Sequence, residues 1–281
     1  MLGKTFAALA TAALLLGAPA AQADENASLV VNGQTLVTKL AAPKGHPLPE
    51  ILSGWLFRTD ETQALQTDDF DNPGFIFVEA GLAAWKKVDG AAGKSCESCH
   101  KDIQTSMKGV RAGMPKWNEK AKEVWSLENY INDCRENRMQ AKPWAWAKAE
   151  MDAMVAAVGL QSRGMPVKVD VSGPAAEWFN RGKDMYYTRY GQLELSCANC
   201  HENHYGDMIR ADHLSQGQTN GFPTYRLKNT KLNSIHDRFK GCIRDTRAET
   251  FAPGSAEFRA LELYVAWRGQ GLSVETPSVR Q

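Results

Sequence analysis

Three patterns of hydrophobic and polar positions recur along the chain, and each predicts a different kind of element. Phe6 to Leu16 is an unbroken uncharged, apolar run behind one cation, Lys4, and it is followed by small residues ending in Ala21-Gln22-Ala23. These are the three regions of a secretory signal peptide, so residues 1–23 are assigned to export, with cleavage after Ala23 and the periplasm as destination. The run is too short and too alanine-rich to span a membrane, and no later run is longer. In "SLVVNGQTLVT", Ser28 to Thr38, apolar residues flank Asn32-Gly33, which predicts a β-hairpin in an N-terminal extension over residues 24–50. Farther on, "PWAWAKAEMDAMVAAVG" from Pro143 and "SAEFRALELYVAWRG" from Ser255 have apolar residues at helical spacing, predicting two amphipathic helices. Between them "SRGMPVKVDVSGP", Ser162 to Pro174, reads as a linker, because Gly and Pro at both ends discourage a continuous helix.

Charge adds little to this picture and removes some function classes. The chain has 33 basic and 32 acidic residues, and losing Lys4 with the leader leaves the two balanced. No bulk charge therefore argues for nucleic acid or a membrane surface. Export to an oxidising compartment makes disulfides the default fate of cysteine.

The six cysteines do not resemble a disulfide framework. Four of them form "SCESCH", with Cys96, Cys99 and His100, and "SCANCH", with Cys197, Cys200 and His201. C-x-x-C-H is the attachment signature of c-type haem: two thiols on one helical turn reach the haem vinyls, and the adjacent His ligates iron. A zinc knuckle or a redox C-x-x-C is the alternative for one copy; two copies behind a signal peptide favour two covalent haem c groups.

The motifs belong to a larger repeat displaced by about 101 positions. "AGMPKW", "NDCRENR" and the first predicted helix follow one motif, while "NGFPTY", "KGCIRDTR" and the second helix follow the other. The expected fold is mainly α, with two tandem cytochrome c-like haem domains, residues 51–165 and 166–281, behind the short hairpin extension.

The second axial ligand of each iron is read from the same repeat. Met107, Met114, Met139 and Met208 are available, but Met114 aligns with Phe222, and His204 and His213 have no counterpart near His100. The ligating residue present in both halves is cysteine: Cys134, 34 residues after His100, and Cys242, 41 after His201. Methionine or histidine ligation, and a disulfide joining Cys134 to Cys242, remain the alternatives.

Both haem motifs, the cysteine after each, and above all "RFKGC" around Cys242 resemble the SoxA family, the dihaem cytochrome subunit of the SoxAX complex of sulfur oxidation. The resemblance covers essentially the whole mature chain. It implies His100 with Cys134 and His201 with Cys242 as the axial pairs, Cys242 as a catalytic cysteine carried as a persulfide, and Arg238 as a substrate-binding residue. It further implies an L-cysteine S-thiosulfotransferase that joins thiosulfate oxidatively to a cysteine of the carrier SoxYZ. A single-haem partner, SoxX, would complete a heterodimer, and a downstream cytochrome c would take the electrons.

The residues themselves agree with that chemistry. Arg238, Lys240, Arg244 and Arg247 surround Cys242, where cations attract an anion and favour a thiolate. If the segment is helical, Arg238 and Cys242 stand at i and i+4 on one face, and an arginine fork suits a sulfonate-like group. Arg244 and Arg247 have counterparts in Arg135 and Arg138, which favours a solvated face or haem propionates for them. In the first half Asp133 precedes the cysteine and Tyr130 replaces Arg238, so catalysis is expected at the second site. A plain low-potential electron carrier and a dihaem peroxidase are the competing classes; the latter needs an open iron position that two retained cysteine ligands deny.

Overall fold

The computed structural model describes residues 28–281, so the export segment, residues 1–23, lies outside the described residues. Ten α-helices are present among the described residues. The first half contains α1 (Asp60–Ala64), α2 (Phe75–Lys86), α3 (Cys96–His100), α4 (Ile103–Ser106), α5 (Leu127–Cys134) and α6 (Ala149–Leu160). The second contains α7 (Ala176–Tyr187), α8 (Cys197–His201), α9 (Ile235–Asp245) and α10 (Ala256–Arg268). Side-chain caps set where the later helices begin: Ser234 Oγ accepts from Asp237 N at 3.1 Å, and Ser255 Oγ accepts from Phe258 N at 3.3 Å.

Two helix crossings organise the core, α2 on α6 and α7 on α10. Each depends on a glycine. A Cβ at Gly81 of α2 would lie 2.2 Å from the Ala153 carbonyl oxygen, and one at Gly182 of α7 would lie 2.0 Å from that of Ala260. The backbones can approach this closely only without a side chain.

The two helices predicted as amphipathic are instead covered nearly all round. Nine of the twelve residues of α6 and ten of the thirteen of α10 are buried. Each has a further neighbour besides its crossing partner. Ala156 packs with Val78 and Leu232, while Leu263 and Ala266 pack with Val124, Val169 and Ala175. The polar positions that suggested a wet face are buried with partners: Arg259 Nη1 meets Glu123 at 2.9 Å and Arg268 Nη1 meets Glu202 at 2.9 Å.

Short antiparallel pairs follow each Gly-x-Pro turn, Lys116–Asn118 with Glu123–Trp125 and Thr224–Arg226 with Lys231–Asn233. Ser278–Arg280 then adds to Thr224–Arg226 in parallel. Near the start of the described chain, Val30–Val31 pairs with Gln34–Thr35 across Asn32 (φ 47°) and Gly33 (φ 80°), the left-handed geometry of a type I′ turn.

The expected linker is not free. Gly164 N donates to Val274 O at 2.9 Å, Val167 N to Leu272 O at 2.9 Å and Lys168 N to Ala112 O at 2.8 Å, with Val167 and Val169 buried. Its Gly and Pro residues break the helix, but its valines have an apolar site to fill. The boundary drawn at residue 50 falls inside the strand Glu50–Leu52, which pairs with Lys39–Ala41. Residues just beyond it reach the second half, where Leu52 N donates to Gln216 Oε1 at 2.8 Å and Arg58 pairs with Asp212.

Candidate functional site

Each C-x-x-C-H segment is a single helical turn started by a reciprocal cap. Ser196 N donates to Asn199 Oδ1 at 2.9 Å while Asn199 N donates to Ser196 Oγ at 3.3 Å; Ser95 and Ser98 do the same at 2.9 and 3.1 Å. The turn holds both thiols and the adjacent imidazole on one short element.

The structure gathers the predicted residues into two separate sets. Cys96 and Cys99 lie within electrostatic reach of Cys134, and Cys197 and Cys200 within reach of Cys242. All six thiols are free, so Cys134 and Cys242 are not joined in a disulfide. Met114 and Met139 are buried core residues, Met208 is exposed, and His204 is a surface residue paired with Asp207 at 2.9 Å.

The donors fit a covalently held haem better than a bare ion. His201 Nδ1 lies 2.7 Å from the Ser215 carbonyl oxygen, which only accepts, so Nδ1 carries the proton and Nε2 keeps its lone pair for a metal. Gly217 makes room for the ring: it has φ 74°, and a Cβ there would come within 2.9 Å of His201 Cγ. Among the described residues no group of three or more His, Cys, Asp or Glu side chains converges as a zinc knuckle would. Apolar side chains complete the surroundings, with Cys197 and Phe222 packed against Ala198, Ile235, Phe239 and Ile243.

Cys242 and Arg238 both lie on α9, one turn apart. Burial pushes the Cys242 thiol up, but the Arg238 charge and the contacting His201 ring overcome it and bring it down to about 7. Arg238 is in turn held charged chiefly by Cys242. Cys134 is moved the opposite way: burial and Cys99 raise it, and Asp133 adds to the rise against Arg138 and Arg135.

The remaining cations separate. Lys240, Arg244 and Arg247 are exposed, and Arg244 meets Asp245 at 2.8 Å. Arg135, by contrast, is buried, bonded to Asp89 at 2.7 Å and stacked 3.9 Å from the Trp144 ring centroid. It supports the first half's packing and is no counterpart of the exposed Arg244. Sequence reasoning missed Ser215, Gly217, Arg58 and Asp212. The first two sit in a polar loop with no motif, and the last two meet only through tertiary structure.

A family model described as SoxA/TsdA, cytochrome c domain, matches residues 80–167. The chain is 52% identical over 283 residues to the L-cysteine S-thiosulfotransferase subunit SoxA of Rhodovulum sulfidophilum, covering 100% of this chain and 99% of that one. To the protein of the same description from Paracoccus pantotrophus it is 51% identical, covering 98% and 97%. To that from Chlorobaculum tepidum it is 35% identical, covering 80% and 79%. Among solved structures, the crystal structure of SoxXA from P. pantotrophus aligns with a TM-score of 0.88 at 50% identity, over 93% of this chain and 100% of that one.

Proposed function

The chain belongs to the SoxA family, and from that premise and the surroundings of Cys242 we propose that it acts as an L-cysteine S-thiosulfotransferase subunit in thiosulfate oxidation. The observation that carries the reading is the placement of Arg238 one turn before Cys242 on α9, where its charge and the His201 ring favour the thiolate against burial. Arg238 holds the anion, and Cys242, carried as a persulfide, is the sulfur at which transfer occurs.

The acceptor is a cysteine of a carrier of the SoxYZ kind. The outer sulfur of thiosulfate and the acceptor sulfur form an S–S bond, the acceptor S–H bond is lost, and one proton and two electrons leave. Covalent haem c supplies, when bound, the one-electron relay that takes those electrons toward a downstream cytochrome c. Two haems are proposed: Cys96 and Cys99 would hold one covalently, with His100 and Cys134 as its iron donors, and Cys197 and Cys200 would hold the other, with His201 and Cys242 as its iron donors. The parallel glycine-dependent crossings of α2 on α6 and α7 on α10 support reading the halves as duplicated cytochrome c-like domains. A SoxX-type single-haem cytochrome is the proposed partner, and the periplasm the proposed site of action.

The test is mass spectrometry of the native holoprotein beside turnover of thiosulfate. Extra sulfur is expected on the Cys242 peptide and none on the Cys134 peptide. Cys242→Ser should abolish thiosulfate-dependent transfer while Cys134→Ser keeps a substantial part. Equal loss from both with haem retained, or full turnover by Cys242→Ser, would remove the assignment.

A further inference from the structure

Which cations near Cys242 are committed to protein partners and which are open to a ligand can be read residue by residue. Arg58 is committed: it pairs with Asp212 and donates from Nη2 to His213 O at 2.7 Å. Arg280 is committed to Glu275 at 2.7 Å and to Gln66 Oε1 at 2.7 Å. Arg226 and Arg238 differ. Among the described residues the Arg226 side chain donates only from Nε, to Gln281 O at 2.7 Å, and the Arg238 guanidinium donates to no protein acceptor. Both are half-buried, yet none of their unpaired nitrogens is sealed from solvent.

These two open guanidiniums lie within electrostatic reach of each other. Arg226 ends the strand Thr224–Arg226, and its side chain lies within electrostatic reach of both Arg238 and Cys242. Two half-buried like charges repel; Asp212, within reach of both, is already bound to Arg58, while Asp237 reaches Arg226 and Asp245, bound to Arg244, reaches Arg238. An anion between them removes that repulsion, and a dianion matches two guanidiniums in charge.

The first half supplies an internal comparison. From the Gly-x-Pro turn to the cysteine the halves run without a gap, Pro115 to Cys134 and Pro223 to Cys242, both 19 positions. Arg226 then corresponds to Asn118, and Arg238 to Tyr130. Asn118 ends the equivalent strand and meets the Tyr130 side chain, so these two positions adjoin in both halves. Only the second half, the one that carries Cys242, has a cation at each.

We propose that Arg226 is a second substrate-binding cation, holding the sulfonate oxygens of thiosulfate together with Arg238 beside the Cys242 sulfur. The inference rests on the thiosulfotransferase reading above. Its bond to Gln281 does not explain it, since Leu227 N already ties that terminal strand through Arg280 O at 2.8 Å.

The experiment uses the holoprotein with its partner cytochrome and two probes, thiosulfate as substrate and sulfate as a dianion lacking a transferable sulfur. Arg226→Gln is expected to keep its haem spectrum, raise KM for thiosulfate about ten- to a hundredfold with a smaller change in kcat, and weaken competitive inhibition by sulfate to a similar degree. Arg226→Lys should show the same shifts at reduced size, and it decides the matter if the Gln variant loses haem. Unchanged KM and sulfate inhibition in the folded variants, with Arg238→Ala impaired, would overturn the role of Arg226 alone. If Arg238→Ala and Cys242→Ser also turn over thiosulfate normally, it is the thiosulfotransferase reading that falls.

Discussion

Arg238 stands one helical turn before Cys242, and that spacing lets one guanidinium act on the thiol and on an incoming anion at once. A charge-assisted hydrogen bond lost at such a site costs about 1.5–3 kcal/mol, or roughly ten- to a hundredfold in rate or binding. Arg238→Ala should therefore keep haem and thermal stability while losing at least about tenfold in kcat/KM for thiosulfate, and Arg238→Lys should recover part of it. Steady-state kinetics on haem-replete variants, beside the exposed Arg244→Ala, check this; a normal Arg238→Ala would mean the anion binds elsewhere. At this scale the sequence was most legible where chemistry restricts residue identity. Haem attachment needs two thiols and an imidazole at fixed spacing, and Arg238 and Cys242 are near neighbours in the chain. Arg58, Asp212 and Arg226 were not legible, because they reach the site from separate segments and carry no spacing of their own.

At the scale of elements, the two helix crossings depend on Gly81 and Gly182, which stand at the same displacement of 101 positions as the haem motifs. Alanine is preferred over glycine inside a helix by about 0.5–1 kcal/mol, so propensity alone predicts that Gly182→Ala stabilises. The space predicts the reverse, since the new Cβ would stand 2.0 Å from a carbonyl oxygen and overpacking costs about 1–3 kcal/mol or more. Thermal unfolding should thus show Gly182→Ala, and likewise Gly81→Ala, lowering Tm by at least about 2–4 °C. Gly241→Ala in α9, whose Cβ would meet nothing nearer than 4.0 Å, should not lower it. Lowering by all three would point to a general loss rather than to the crossings. That glycine pair was a signal the repeat already carried. The burial of α10 was harder to see, because Arg259, Glu262 and Arg268 mimic a wet face, and their partners Glu123, His236 and Glu202 come from three separate segments.

Taken whole, the halves are joined by a buried polar seam rather than by a flexible linker. Ser126, the cap of α5, donates to Glu262 of α10, which also meets His236 Nε2 of α9 at 3.1 Å. Trp146 from the first half stacks on that imidazole with ring centroids 5.0 Å apart. Asp152 of α6 lies in the same seam, where burial, then the nearby charge of Asp237 on α9, raises its carboxyl from 3.8 to about 7 against the pull of Lys231. One of its oxygens has no hydrogen-bond partner among the described residues. A raised carboxyl is one whose proton the folded state holds more tightly than the unfolded chain does. Its stabilising contribution is complete below pH about 4 and is lost as pH rises through about 7. At about 1.4 kcal/mol per unit the loss is of order 4 kcal/mol. Glu128, also raised to about 7 by burial and by Glu262, works in the same direction. Asp152→Asn keeps the shape and removes the charge, so denaturant unfolding of the holoprotein should show little difference from the parent at pH 4 and a variant more stable by a few kcal/mol at pH 8. Because the seam crosses both halves, the gain should appear in one shared transition, followed by helix signal and haem absorbance alike. A gain of the same size at both pH values would show that Asp152 is not titrating in the seam, and a gain confined to one of two separate transitions would show that the halves unfold independently.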